Sequence, residues 1–504
     1  MPGSTYWQSR VTMTDESLKE EILINVTTTE VRAALLENGV LQEVHIERAA
    51  RRGLISNIYK GHVLRVLPGM QAAFIDIGLE RTAFLHASDI APGRGQDSSD
   101  EVPPIRDLVR EGDEIMVQVA KDPLGNKGAR LTTFITLPSR HLVLLPCSDA
   151  VGISARIEDE GERERLRGVV EEILAERNLD CGVIVRTVAE GMDGEALLAD
   201  LKYTLKLWEV VQERCSKTRV KMLVHEDLSL PLRVLRDMVT SEIERILVDS
   251  EDDFTAMQEF ADTYLPDIEP KLEFYQRRRP IFDLHGIEDE IRKSLDRSIP
   301  LKSGGYLIFD QTEAMTTVDI NTGGYVGHRN LEETIYRTNL EAAVAIARQL
   351  RLRNLGGIII IDFIDMEEPD HRENVLHVLE QSLARDHART QITPVSPLGL
   401  VEMTRKRTRE SLQHILCEDC PSCAGRGFLM TAETVCFEIF RETIRQSRQF
   451  EFDEVLVLAH QNVIELLLDE QARSLAELEQ QTGKSIRLQT ESLYVQDQFD
   501  VVLM

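Results

Sequence analysis

Residues 304–366 constrain the fold more tightly than any other stretch of the chain. GGYLIFDQTEAMTTVDINTGG reads as two strands joined by a short turn, NLEETIYRTNLEAAVAIARQLRLRN as a long amphipathic helix, and GGIIIIDFIDM as a further strand. A helix between two strands is a crossover, which sets those strands parallel and near each other. Four consecutive isoleucines ending at Asp362 predict a strand buried on both faces. Asp319 and Asn321, two apart near the end of the preceding strand, project to one side. Open α/β sheets bind ligands beyond the carboxyl ends of their strands. Two carboxylates meeting there, with no basic neighbour in sequence, repel each other unless a cation sits between them. Carboxylate and amide oxygens suit Mg²⁺, which can activate water against a phosphodiester. The same spacing also suits acids that merely end strands and cap turns.

At 504 residues the chain exceeds one ordinary core, so a multidomain α/β (α+β) protein is expected. Residues 21–47 predict a strand, a helix over TEVRAALLENG and a second strand, with a boundary at Arg51-Arg52-Gly53. Short strands with glycine turns over 54–135 predict a small barrel, interrupted by a loop at APGRGQDSSDEVPP (91–104). Residues 136–230 mix strands with amphipathic helices, 231–295 read as mainly helical, and 431–504 form a small αβ unit. No run approaches the ~18 apolar residues of a membrane helix. The polar start lacks a secretory signal and reads as a disordered leader with Met13 as an alternative start, so a cytoplasmic protein is expected.

A net charge of −28 excludes coating of nucleic acid by bulk positive charge. Any RNA must meet locally gathered cations, and these occur at Arg48, Arg51 and Arg52, at Arg277 to Arg279, and at Arg405, Lys406, Arg407 and Arg409. Phe74 and Phe84 fall on successive barrel strands, and Lys127 lies in the turn GNKG. Rings on a barrel face beside a lysine can stack bases and hold phosphates, although both rings would equally fill a barrel core. Arg186 and Thr187 end the strand GVIVRT; such a pair can grip a phosphate or form a surface ion pair. Cys417, Cys420 and Cys423 in CEDCPSCAGRG have the spacing of a zinc turn. They supply three of four tetrahedral ligands, with His414 or Cys436 as further candidates; reduced thiols are the other reading.

Taken together, NIYKGHVLRVLPGMQAAFIDIG, GNKGARLTTFITLPSRHLVLLP, TTVDIN, RTNLEAAVAIARQLRLRNLGGIIIIDFIDM and CPSC resemble the ribonuclease E/G family over nearly the whole chain. The resemblance implies a ribonuclease-H-like subdomain (21–51 and 231–294) split around an S1-type OB barrel (52–135) and a 5′-sensor (136–230). A DNase-I-like catalytic subdomain (295–413), a zinc link (414–430) and a small C-terminal domain (431–504) would follow the leader (1–20) and these parts. It implies Asp319 and Asp362 as Mg²⁺ ligands with Asn321 in the site, and Phe74, Phe84 and Lys127 as RNA contacts. It further implies Arg186, Thr187 and Arg389 as 5′-monophosphate contacts. Cys420 and Cys423 would share one Zn²⁺ between two subunits, with Cys417 an added candidate. The expected activity is endonucleolytic cleavage of single-stranded RNA, namely ribosomal RNA precursors and messenger RNA, by a dimer or tetramer. The absence of a long Arg/Pro-rich scaffold before Met504, and the extra Cys417, bring the resemblance closer to the G type and imply no degradosome-organising role. The rival class is a non-catalytic RNA-binding or ribosome-assembly factor.

Overall fold

The computed structural model describes residues 19–91, 103–123, 128–240, 242–264, 271–323, 331–407 and 409–504. The expected leader, most of the 91–104 loop and Lys127 lie outside the described residues. The chain divides into two compact units, Met1–Leu412 and Gln413–Met504.

The first unit opens with an antiparallel meander, Glu20–Val26, Glu30–Glu37 and Val40–Arg48. The helix expected over TEVRAALLENG is therefore wrong. Ala33, Ala34, Leu35 and Leu36 are buried in a strand paired on both edges, and Asn38 and Gly39 make the positive-φ hairpin turn that follows it. Pairing and burial override the helical preference of alanine and leucine. The largely helical reading of 231–295 also needs correction, because Ile243–Val248 is a strand parallel to Glu20–Val26, and Leu272–Phe274 continues the sheet. Short apolar runs do not distinguish strand from helix by period alone.

The barrel reading holds. Ile58–Leu67 pairs with Ala72–Asp76 on one side and Glu114–Lys121 on the other, and Ala83–His86 and Arg130–Thr132 close the ring. Met222–His225 adds a strand to Ile58–Leu67 from far along the chain. Between these segments a four-stranded sheet runs in the order Val151–Ile153, Gly182–Val185, Leu142–Leu145, Leu137–Pro138. Helices Glu160–Glu176 and Gly194–Lys217 share its core.

The last sheet of this unit has six strands in the order Ser298–Pro300, Tyr306–Gln311, Met315–Asn321, Gly357–Asp362, Leu400–Arg405, Thr390–Ile392. Helices Leu331–Leu352 and Pro369–Leu383 bury one face around Val318, Ile320, Ile359 and Ile361. The isoleucine strand is not buried on both faces: Ile359 and Ile361 are inside, whereas Ile358 is 47% exposed. Among the described residues helices cover only one side of this sheet, so the run of isoleucines overstates its burial. Within Gln413–Met504, Glu454–Ala459 lies between a parallel Ser485–Thr490 and an antiparallel Phe499–Leu503, with helix Ala432–Gln449 packed into the same core. Among the described residues no helix is long and apolar enough to cross a membrane.

Candidate active site

Strands Met315–Asn321 and Gly357–Asp362 run parallel, and Asp319 and Asp362 are register partners. Side-chain alternation sends Val318, Ile320 and Ile361 into the core and leaves both aspartates exposed on the open face. The Asn321 amide donates to Asp319 Oδ2 at 2.8 Å, which fixes the asparagine beside the acid pair. The turn after Asn321 fits tightly: a Cβ on Gly305 would lie 2.6 Å from the Asn321 carbonyl oxygen, and Gly323 has φ +60°. Among the described residues neither Asp319 nor Asp362 forms an ion pair. Partial desolvation, then the Asp319 and Asp365 carboxylates, push the Asp362 carboxyl above the usual range. Asp365 also lines a cavity of about 470 Å³ with Arg372, Ser396, Leu398 and Gly399. No third His, Cys, Asp or Glu converges closely enough among the described residues to complete an all-protein metal cage. Two carboxylates and an amide are nevertheless a suitable Mg²⁺ donor set, because that ion keeps several waters and commonly takes one or two carboxylates.

On the barrel, Phe74 and Phe84 are cross-strand partners with ring centroids 6.3 Å apart in an edge arrangement. Both are half-buried, while their neighbours Ala73, Ile75, Ala83 and Leu85 fill the interior. The rings therefore sit on the outer face, with His86 6.5 Å from Phe84. Arg65 and Arg130 occupy register positions beside Phe74 and Phe84 respectively. Arg130 is engaged by Asp89 at 2.8 Å.

Arg186 follows the strand Gly182–Val185 and is already bonded within the protein. It donates to the Ser139 carbonyl at 2.6 Å and pairs with Asp237 at 2.8 Å. Burial opposes ionisation of Asp237, but Arg236 and Arg186 together hold its carboxyl below the usual range. The Thr187 hydroxyl lies 2.9 Å from that of Ser154. Arg156, two residues beyond Ser154, donates to the carbonyls of Asp386 and His387. This brings the segment carrying the exposed Arg389 to the neighbourhood of Thr187.

In the second unit Cys417 and Cys420 are exposed and Cys423 is half-buried. Hydrogen bonds from the Cys423 and Ser422 backbones and from the Cys423 side chain lower the Cys420 thiol, and Gly427 N donates to Cys423 Sγ at 3.3 Å. Cys436 does not belong to this group. It is fully buried, its thiol donates to the Val463 carbonyl, and burial pushes it up to about 11. The structure thus sets Cys436 apart from the cysteine turn. Among the described residues Cys417, Cys420, Cys423 and His414 do not gather into a three-ligand cluster.

A family model described as Ribonuclease E/G family matches residues 136–408. The chain belongs to the ribonuclease E/G family. A second model, RNase E/G, Thioredoxin-like domain, matches residues 419–503. Ribonuclease G of Salmonella typhimurium is 56% identical over 489 residues, covering 96% of this chain and 99% of that protein. Ribonuclease G of Haemophilus influenzae is 52% identical over 490 residues with the same coverage. Ribonuclease E of Escherichia coli is 37% identical over 467 residues, covering 91% of this chain and 44% of its own length.

The ribonuclease E/G match includes both carboxylate strands and the Arg186 segment, and it ends before the cysteine turn. The structure unites Asp319, Asn321 and Asp362, pairs Phe74 with Phe84, and links the Thr187 and Arg389 segments. Reading the sequence missed Asp365, although its spacing three residues after Asp362 was visible. It also missed Ser154, Arg156 and Asp237, whose contacts with Thr187, the Asp386 carbonyl and Arg186 lie too far along the chain to leave a local pattern.

Proposed function

We propose that this member of the ribonuclease E/G family is a Mg²⁺-dependent endoribonuclease acting on single-stranded RNA. The observation that carries the reading is the registered Asp319–Asp362 pair, exposed and without an internal cation among the described residues. Asp319 and Asp362 would hold the ion, and Asn321 orients Asp319 through its amide. Bound there, Mg²⁺ supplies positive charge to the scissile phosphate and makes water a stronger nucleophile. Phe74 and Phe84 offer an outward aromatic face for bases, with Lys127 as a phosphate contact, and Arg186, Thr187 and Arg389 receive a 5′-monophosphate. Arg186 exchanges its internal bonds to Asp237 or Ser139 when it takes that phosphate.

The products carry a 5′-phosphate and a 3′-hydroxyl, and the substrates are ribosomal RNA precursors and messenger RNA in the cytoplasm. The meander with its two added parallel strands is the ribonuclease-H-like part, the closed barrel is the S1-type OB module, and the six-stranded sheet is the DNase-I-like catalytic part. A non-catalytic RNA-binding role gives no reason to crowd two acids at one strand end. A 5′-monophosphorylated oligoribonucleotide incubated with the protein tests the proposal. Cleavage is expected with Mg²⁺ and not with EDTA; intact RNA in both, or equal cutting in both, overturns it.

Cys420 and Cys423 supply two thiolates per chain, and two chains complete one tetrahedral Zn²⁺ site that ties metal binding to assembly as a dimer or tetramer. The lowered Cys420 thiol suits a metal-binding thiolate, and the buried position of Cys436 speaks against closure within one chain through that residue, which leaves His414 as the within-chain rival. Elemental analysis should find one zinc per two chains, and light scattering should find smaller species after strong chelation. One zinc per chain, in an oligomer that survives its removal, rules the shared site out.

A further inference from the structure

Tyr306 begins the strand Tyr306–Gln311 and lies directly opposite Asn321. Two residues on, Ile308 is opposite Asp319, which is in turn opposite Asp362. Directly opposed residues in a sheet share a face, so Tyr306 stands on the same open side as the acid pair and its asparagine. The intervening residues Leu307 and Ile320 point into the core. Tyr306 is 36% exposed, and its hydroxyl has no hydrogen-bond partner among the described residues. Among the described residues, Phe309 and Phe363 are each only 6% exposed and pack with the helices, and Tyr336 is half-buried and stacked on His371. A point midway between Asp319 and Asp362 lies about one and a half strand spacings, roughly 7 Å, across the sheet from the Tyr306 strand and two residues, roughly 7 Å, along it, so about 10 Å from the Tyr306 backbone. That separation leaves room for a base between the ring and the acid pair. The backbone under the ring is held in place by the Ser303-Gly304-Gly305 turn. A Cβ on Gly305 would strike the Asn321 carbonyl, and one on Gly323 would lie 2.5 Å from the Gly304 carbonyl. A ring on so fixed a support loses little freedom when a flat ligand stacks on it.

We infer that Tyr306 is a substrate-binding residue that stacks on the nucleobase flanking the scissile phosphate, placing that phosphate over Asp319 and Asp362. This rests on the ribonuclease reading above. It adds an aromatic contact at the cleavage point itself, separate from the Phe74–Phe84 face on the barrel. Base–aromatic stacking tolerates any sequence because every base has a π-face, so Tyr306 selects for an unpaired, stackable base and not for base identity.

The test uses the full chain with Mg²⁺ and a 5′-monophosphorylated single-stranded oligoribonucleotide with one cleavage site, made intact or with an abasic residue at either flank of the scissile bond. Tyr306→Ala should raise KM on the intact substrate by about 5- to 150-fold, the range for loss of one stacked base. At one flank the abasic substitution should remove the difference between Tyr306→Ala and the parent protein. Tyr306→Phe, which keeps the ring, should recover the binding lost in Tyr306→Ala. A turnover-independent readout is quenching of 2-aminopurine placed at that flank, measured in the Asp319→Asn background with and without Tyr306→Ala. If the parent protein cuts the RNA while Tyr306→Ala binds and cuts it equally well, stacking is overturned and the ribonuclease reading stands. Equal losses on intact and both abasic substrates overturn it too, since the residue would then be structural. Failure of the parent protein to cut at all overturns the ribonuclease reading itself, and the stacking role with it.

Discussion

Two pairs of carboxylates in the first unit are treated in opposite ways. Glu37 and Glu43, on the opening meander, are buried, and Arg351 lies between them at 2.8 and 3.1 Å. Arg385 adds a second contact to Glu37 at 3.4 Å. Although burial opposes it, the His45 hydrogen bond and the Arg351 charge hold Glu43 well below the usual carboxylate range. Asp319 and Asp362 stand in register with no such arginine, and Asp362 is pushed the other way. Arg351 is in the last turn of helix Leu331–Leu352, the crossover that connects the two aspartate strands. One connection thus brings a counter-charge to one acid pair and none, among the described residues, to the other. That contrast is what the proposed cation site rests on.

The sharpest way to break this comparison is to substitute within the uncompensated pair. Asp362→Asn should lower cleavage by about 10⁴-fold, equivalent to roughly 5.5 kcal/mol. Its unfolding midpoint should stay unchanged or rise, because a like-charge contact is removed. A large loss of stability, or activity near the parent level at limiting Mg²⁺, would mean that the two pairs serve the same structural purpose. The converse change is Arg351→Met, which leaves Glu37 and Glu43 buried together. It should cost about 3–5 kcal/mol in denaturant unfolding, the usual penalty for removing one partner of a buried charge group. A loss under about 1 kcal/mol would show that water reaches the site and that the contrast is overstated.

The smallest of the three effects concerns Arg186, a cation that already has a carboxylate partner in Asp237. Arg186→Ala should slow cleavage of 5′-monophosphate RNA by about 10- to 150-fold, corresponding to about 1.5–3 kcal/mol for charge-assisted hydrogen bonds. Cleavage of 5′-hydroxyl RNA should hardly change. Equal loss on both substrates would assign Arg186 to the Asp237 pair alone, making it a structural counterpart of Arg351.

Much of the acid site was legible because its parts follow one another in the chain. Strand, crossover helix and strand are contiguous from Met315 to Asp362, and two-residue alternation puts Asp319 and Asn321 on one side. The closed barrel was legible from its short strands and turns. Less could be read where a residue's surroundings come from distant sequence. Glu30–Glu37 has the composition of a helix and became a strand because partners closed on both its edges. Ile358 looks like a core residue and is exposed because helices cover only one face of its sheet. Asp237 meets Arg186 from 51 residues away and Arg156 meets the Asp386 carbonyl from 230, and no local period encodes such meetings.

The parallel pairing of Glu20–Val26 with Ile243–Val248 has a consequence for the order in which the molecule can be made. Ile22 pairs with Ile246, so 246 − 22 = 224 residues must be added after the first strand leaves the ribosome before its neighbour exists. At about 5–20 residues per second, that edge stays open for roughly 11–45 s. The meander and the barrel need only nearby residues and can form during the wait, whereas the opening sheet stays unfinished until the whole middle of the chain has been synthesised. An unpaired strand edge is a template for joining another chain. Glu20 and Glu21 put charged side chains at the start of that strand, a feature by which sheet edges resist joining another chain.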